Sequence, residues 1–314
     1  MATIIFDTQK AKDLLAHGQI VAIPTETVYG LAACPKSMKI VKAIYDLKKR
    51  PIDKALAINV HPSWNIRQWG IDIPDYVFKL TQAFWPGPLS IILKANPKHV
   101  PGFLMGPEQT IALRCPNHPM TLEVLQQLGE IIVAPSANPS HHLSPTHAQQ
   151  VMAYFANEDI AILDGGDCEL GIESTILKAN GSHEYEILRL GAISLEKIQD
   201  CIGFGPRQII KPQHQGFLAK PLYYFKTSDE VLAYLAKNPQ MQGLCIARKK
   251  HLKNIPASLQ YLLPESLQAI EKAFYDILQH CQKTSCQVLW IESFGDNPSL
   301  HQIILKYAKP IDIA

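Results

Sequence analysis

Short apolar runs punctuate the first two-thirds of the chain: QIVAI at 19–23, ALAINV at 55–60, LSIIL at 89–93, TIAL at 110–113, EIIVA at 130–134, IAIL at 160–163 and STIL at 174–177. They are rich in β-branched residues and bounded by Pro, Gly, Ser or Asn, which reads as strands. Between them, SMKIVKAIYDLKKR (37–50) and MTLEVLQQL (120–128) repeat apolar residues at helical spacing. The alternation predicts an α/β domain over residues 1–202, with functional loops at the ends of a twisted, mixed sheet. From 203 to 221 the text becomes GFGPRQIIKPQHQGFLAKP, rich in Gly, Pro and Gln and without a period, which predicts a linker. Strand-like LYYF, GLCIA and QVLWIES then alternate with helical DEVLAYLAK, LQAIEKAFYDILQHC and SLHQIILKYA, predicting a second, smaller α/β domain over 222–314.

Composition narrows the function classes. At 314 residues and 47% hydrophobic, the chain can build two cores, while Lys+Arg 30 against Asp+Glu 28 leaves a net charge of only +2. A protein held mainly by nucleic-acid phosphates carries more positive charge than this. Seven cysteines with no Cys-x-x-Cys pair fit neither a disulfide framework nor a zinc ribbon, and point to a reducing cytoplasm. No apolar run has the length of a membrane span, and Asp7 and Lys10 interrupt the start before any signal-length stretch, so no membrane partner is expected.

Five polar stretches at strand ends are candidates for chemistry. Pro24-Thr25-Glu26-Thr27-Val28-Tyr29-Gly30-Leu31 follows QIVAI; it is either a ligand site or an ordinary turn in which Thr caps a helix. Lys48-Lys49-Arg50-Pro51, followed by Lys54, ends a helix, where cations suit the dipole; after Pro51 breaks the helix they could also converge on phosphates. Arg114 closes TIAL and could hold a carboxylate through two parallel hydrogen bonds, or form a surface ion pair. Ala134-Pro135-Ser136-Ala137-Asn138-Pro139-Ser140 continues to Ser144-Pro145-Thr146, a stiffened loop of small hydroxyl and amide groups or a plain surface turn. Asp164-Gly165-Gly166, Gly171-Ile172-Glu173-Ser174-Thr175 and Arg189-Leu190-Gly191 complete the set. No GxxxxGK[ST] loop or GxGxxG fingerprint is present, and the histidines and Cys115 lack companions at metal-ligand spacing, so no protein-held metal is expected.

In this order the five stretches resemble the YrdC-like domain of the threonylcarbamoyl-AMP synthase family, over roughly the first two-thirds of the chain. The tail is similar to the smaller, Rossmann-like C-terminal domain of the family's two-domain branch. The resemblance implies an enzyme that condenses L-threonine, bicarbonate and ATP into threonylcarbamoyl-AMP and pyrophosphate. That product would feed a transferase complex that modifies adenosine in tRNA, with weak RNA contact possible. Carried over residue by residue, it implies that Lys48 and Arg50 act in catalysis. Thr27, Asn59, Arg114, Ser136 and Ser174 would bind threonine, and Arg50, Lys54, Thr110, Asn138, Thr146 and Arg189 would bind ATP, with Mg²⁺ arriving on the nucleotide.

The chain departs from the family pattern in three places. Lys54, Ala55-Leu56 and Asn59 stand where the family usually has Asn, Pro-Leu and His. His141 replaces a usual Gly, and the linker lacks a His-Tyr-x-Pro element. Two other functions use related domains. A carbamoyl-transfer relative would need zinc-finger modules, and no Cys-x-x-Cys array is present. A non-catalytic RNA-binding module would need a basic concavity, which near-neutral charge disfavours.

Overall fold

The structure is a computed structural model, and it describes residues 1–312. Two compact units divide it, the first of residues 1–140 and 144–210, the second of residues 141–143 and the chain from Lys211 onward. The first unit begins β1 (Thr3–Ile5), α1 (Thr8–Ala16), β2 (Val21–Ile23), β3 (Gly30–Ala32), α2 (Met38–Lys48) and β4 (Ala57–Asn59). It continues α3 (Asp75–Phe84), β5 (Leu89–Lys94), β6 (Thr110–Arg114), α4 (Pro119–Leu128), β7 (Ile132–Val133), α5 (Ala148–Phe155) and β8 (Ala161–Leu163). A hairpin of β9 (Thr175–Gly181) and β10 (Glu184–Arg189), helix α6 (Leu195–Ile202) and β11 (Gln208–Ile209) complete it.

These strands form two mixed sheets, ordered β1-β8-β2-β3 and β11-β10-β9-β5-β6-β4-β7. The sheets meet edge to edge. The amide of Leu31 donates to Pro135 O at 2.7 Å, Ala33 and Val133 exchange two bonds, and Ala137 N–H reaches Tyr29 O at 2.7 Å. This join lays the Thr25–Gly30 stretch directly beside the Ser136–Asn138 loop. The buried apolar faces of the strands and of α2, α3 and α5 share one core that includes Tyr29, Ile44, Ile91, Leu113 and Tyr185.

Local sequence explains the edges of the elements. Ser37 caps α2 by accepting from the Ile40 amide at 3.4 Å, and Lys49, in the left-handed region at φ 49°, ends it two residues before Pro51. Residues 203–221, read from sequence as a linker, are partly built. The amides of Arg207 and Ile210 donate to Tyr185 O and Ile187 O, which ties β11 to β10.

The second unit runs β12 (Leu222–Phe225), α7 (Ser228–Lys237), β13 (Gly243–Ala247), β14 (Gln260–Leu262), α8 (Leu267–Gln282), β15 (Val288–Glu292), α9 (Pro298–Tyr307) and β16 (Lys309–Pro310). All its strand pairs are parallel, in the order β14-β13-β15-β12-β16. Strand β15 is buried throughout, as a central parallel strand covered on both faces must be. Trp290 on β15 fills the space over Gly243, where an added Cβ would lie 2.0 Å from the indole. No helix among the described residues is long and apolar enough to cross a membrane.

In the first unit the chain crosses itself where Gly191 passes Ser174. A Cβ on Gly191 would sit 2.2 Å from Glu173 O and 2.5 Å from the Ser174 carbonyl carbon, both backbone atoms that cannot swing aside. Gly191→Ala is expected to destabilise the first unit by roughly 1–3 kcal/mol, seen as a lowered denaturation midpoint; an unchanged midpoint would show that this crossing has slack.

Candidate functional site

One register row organises the large sheet. Asn59 pairs with Arg114, Arg114 with Ser90, Ser90 with Ile176, and Ile176 with Arg189, across β4, β6, β5, β9 and β10. Register partners share a face, so polar side chains from distant parts of the sequence stand side by side. Ser174, just before β9, enters the row through its hydroxyl, 2.9 Å from Ser90 Oγ. Arg189 donates to both Ser174 O, at 3.0 Å, and Ser174 Oγ, at 3.2 Å.

Arg114 is the centre of the arrangement. Its terminal nitrogen donates to Glu26 Oε1 at 2.8 Å and to Thr27 Oγ1 at 2.7 Å. The other Glu26 oxygen accepts from the Asn117 amide at 2.9 Å. Glu26 is 3% exposed, so its charge is matched inside the protein rather than by water. The Nε of Arg114 is buried and has no hydrogen-bond partner, as is Nδ1 of the nearby His118. Burial lowers the His118 pKa, so the imidazole favours its neutral form.

The cations of the second stretch part ways. Lys48 is only 2% exposed, and its ammonium donates to the carbonyls of Ser136 and Asn138. The Ser140 amide returns a bond to Lys48 O at 2.7 Å. Lys48, to which the family resemblance assigns a part in catalysis, gives these hydrogen bonds to the serine loop and so holds it in place. Arg50 folds back on its own turn, donating to Lys54 O at 3.2 Å and Ala55 O at 3.1 Å. Burial lowers its pKa, and the Arg189 guanidinium acts in the same direction, so the two arginines are close enough to repel. Such a pair suits a polyanion.

The remaining expected residues are placed less centrally. Lys54 is exposed, and its carbonyl also accepts from the Tyr45 hydroxyl at 3.0 Å. Thr110 begins β6, four residues and about 13 Å from Arg114 along the strand, with its hydroxyl donated to Pro107 O at 2.8 Å. An extended ligand could reach both ends; a small one could not. Thr146 is buried and bonded through its amide to Gln150 Oε1 at 2.6 Å. His141, where a glycine was expected, adopts φ 70° and so keeps a glycine-like backbone at the end of the serine loop.

Sequence reasoning passed over several residues that the structure makes central. Glu26 is the sole charged residue between Gln19 and Pro35, a signal available in the text. Glu173, 7% exposed, accepts from Ser144 Oγ at 3.0 Å. Tyr29 donates from its buried hydroxyl to Gly166 O at 2.8 Å and ties the Asp164-Gly165-Gly166 turn to the first stretch.

The sequence model of the Sua5, YciO and YrdC proteins, described as telomere recombination, matches residues 13–191. The chain belongs to this family. A threonylcarbamoyl-AMP synthase of Bacillus subtilis is 37% identical over 194 residues, covering 62% of this chain and 56% of that protein. One from Pyrococcus abyssi is 36% identical over 193 residues, with the same shares. In these alignments the chain spans about half the length of the curated relatives it matches. The solved P. abyssi Sua5 complexed with L-threonine superposes with a TM-score of 0.83 at 25% identity, covering 98% of this chain and 96% of that one.

Two outcomes test this geometry. Lys48→Ala leaves two loop carbonyls without their donor and is expected to cost about 2–3 kcal/mol in denaturant unfolding; a stability equal to that of the unsubstituted chain would mean the loop stands without the ammonium. Among the cysteines, burial pushes the thiols of Cys115, Cys168, Cys245 and Cys281 up to about 12 and that of Cys34 to about 11. The folded thiols therefore stay protonated above a free thiol's ordinary 9.0, so they support stability fully below pH 9 and lose that support as pH rises toward 12. In a thiol-reagent time course at pH 8, Cys201 and Cys286, the two partly exposed cysteines, should react first; rapid modification of all seven would contradict the burial.

Proposed function

We propose that this chain is an L-threonylcarbamoyladenylate synthase, converting L-threonine, bicarbonate and ATP into threonylcarbamoyl-AMP, pyrophosphate and water. The observation that carries the reading is the Arg114 guanidinium, fixed by Glu26 and Thr27 yet 12% exposed, in a row of polar side chains. A ligand carboxylate would meet the exposed part of that guanidinium with charge-assisted bonds. The family relationship and the threonine complex of P. abyssi Sua5 support threonine as the carboxylate.

In this reading Arg114, oriented by Glu26, binds threonine's carboxylate, while Thr27, Asn59, Ser136 and Ser174 bound the rest of the amino acid. Threonine's amine adds to bicarbonate with loss of water, giving a carbamate. A carbamate oxygen then attacks the α-phosphorus of ATP, forming a new P–O bond as the bond to pyrophosphate breaks. Arg50 and Arg189 face the triphosphate and meet the charge that moves onto the leaving pyrophosphate. Lys48 acts through the loop, holding Ser136 and Asn138 where both ligands would pass. Lys54, Thr110 and Thr146 belong to the nucleotide side. Such a reaction depends on positioning two substrates, not on a protein nucleophile.

The donors present do not form a dedicated metal site. No group of three or more His, Cys, Asp or Glu side chains among the described residues could hold a metal ion, and the carboxylates of Glu26 and Glu173 are already engaged. Mg²⁺ would therefore come coordinated to the phosphates of ATP. A tRNA-modifying transferase would consume the product, since a mixed carbamic–phosphoric anhydride hydrolyses unless it is passed on.

The experiment is pyrophosphate release from ATP with threonine and bicarbonate each present or omitted, and both are expected to be required. Arg114→Lys should raise the KM for threonine far more than that for ATP, because an ammonium cannot keep Glu26 and Thr27 while also gripping a carboxylate. Pyrophosphate release independent of threonine would refute the reading; equal losses for the two substrates would reassign Arg114 to the scaffold.

A further inference from the structure

The second unit contains a crevice that the proposed reaction does not use. Its sheet reverses direction between β15 and β12. From β12 the chain crosses through α7 to β13 on one side, and from the adjacent β15 it crosses through α9 to β16 on the other. In open parallel sheets such a reversal leaves a gap at the carboxyl ends of the two strands, where crossover helices cannot cover it. A crevice of about 490 Å³ lies there, lined by residues that immediately follow β12, β13 and β15. That volume suits a small metabolite.

The charges around it are arranged for an anion. Arg248, 5% exposed, forms the floor; its Nε donates to Glu292 Oε1 at 2.6 Å, and its two terminal nitrogens donate to Asp296 at 2.9 and 3.0 Å. Both carboxylates of the crevice are thereby committed to one guanidinium. Among the described residues the Lys226 side chain, at the end of β12, makes no ion pair, and Lys250 makes a long one with Asp296, at 3.9 Å. Both lysines are exposed on the rim, and His251 stands beside them.

The loop between β15 and α9 carries a further sign. Phe294 is held at φ 46°, a left-handed conformation costly for an aromatic residue, and its ring lies 5.3 Å from the Arg248 guanidinium carbon. Strain of this kind persists where surrounding contacts over-determine it, and it gathers at ligand clamps. Phe294 is one of the residues that line the crevice.

We infer that this crevice binds a phosphate-bearing small metabolite of the nucleoside monophosphate class, with the phosphate between Lys226 and Lys250 and the organic body lying along the 293–296 loop. The site is separate from the row built on Arg114, and the inference does not depend on the proposed reaction. The test uses the full-length chain and AMP as the probe, with hydrogen–deuterium exchange read in peptides spanning 293–301, which carry residues that line the crevice. AMP is expected to slow exchange there, and adenosine, lacking the phosphate, is not. Lys226→Ala combined with Lys250→Ala should weaken the AMP effect by about tenfold, two charge-assisted contacts being lost, while threonine-dependent pyrophosphate release stays unchanged. Absence of protection at saturating AMP, equal protection by adenosine, or protection undiminished in the double variant would each overturn the inference.

Discussion

An ammonium group almost wholly withdrawn from water ties the first unit together. Removing a charge from solvent is costly unless fixed dipoles replace the hydration. For Lys48 the replacement is supplied by the carbonyls of Ser136 and Asn138. Those carbonyls belong to the loop that pairs with Tyr29 and Leu31 at the junction of the two sheets. The end of α2, the serine loop and the edge-to-edge join therefore hold one another in place. Without a cation at position 48 the loop carbonyls would need another donor, and the first polar stretch would lose the neighbour that defines its path.

A second buried charge, the Glu26 carboxylate, is matched by Arg114 in the same unit. Glu26 neutralises Arg114 on one side and aims it, while Nε is left without an acceptor. This is a division of labour within one guanidinium. The protein's own carboxylate keeps the arginine rigid in the absence of ligand, so little side-chain freedom remains to be lost when an outside carboxylate arrives. Arg189 lies close enough to Arg50 to oppose its charge, and an anion placed between the two would relieve that opposition.

Much of this was legible in the text. The alternation of apolar runs and helical spacing foretold the order of strands and helices. Arg114 at the end of TIAL stood out because a guanidinium there can hold a carboxylate through two parallel hydrogen bonds, and Ser174 belonged to a polar stretch that opens a strand. The resemblance to the threonylcarbamoyl-AMP synthase family agrees with the family to which the chain belongs. What could not be read depends on contacts between remote residues. Lys48 looked like a solvated helix end because its carbonyl partners lie about 90 residues further on. Ser90 sat unnoticed inside LSIIL, since only the register with Arg114 gives its hydroxyl a role. The reversal of strand order in the second unit is likewise a property of pairing, invisible in a linear pattern.

The pairing of β1 with β8 has a consequence for how the chain is made. Thr3 sits opposite Ala161, so β1 has no sheet neighbour until nearly 160 further residues have been made. Closing so long a loop is entropically slow, and the waiting segment, with Ile4 and Ile5 unpaired, must be kept from pairing with other chains. Synthesis therefore leaves β1 without its sheet partner until most of the first unit has been made.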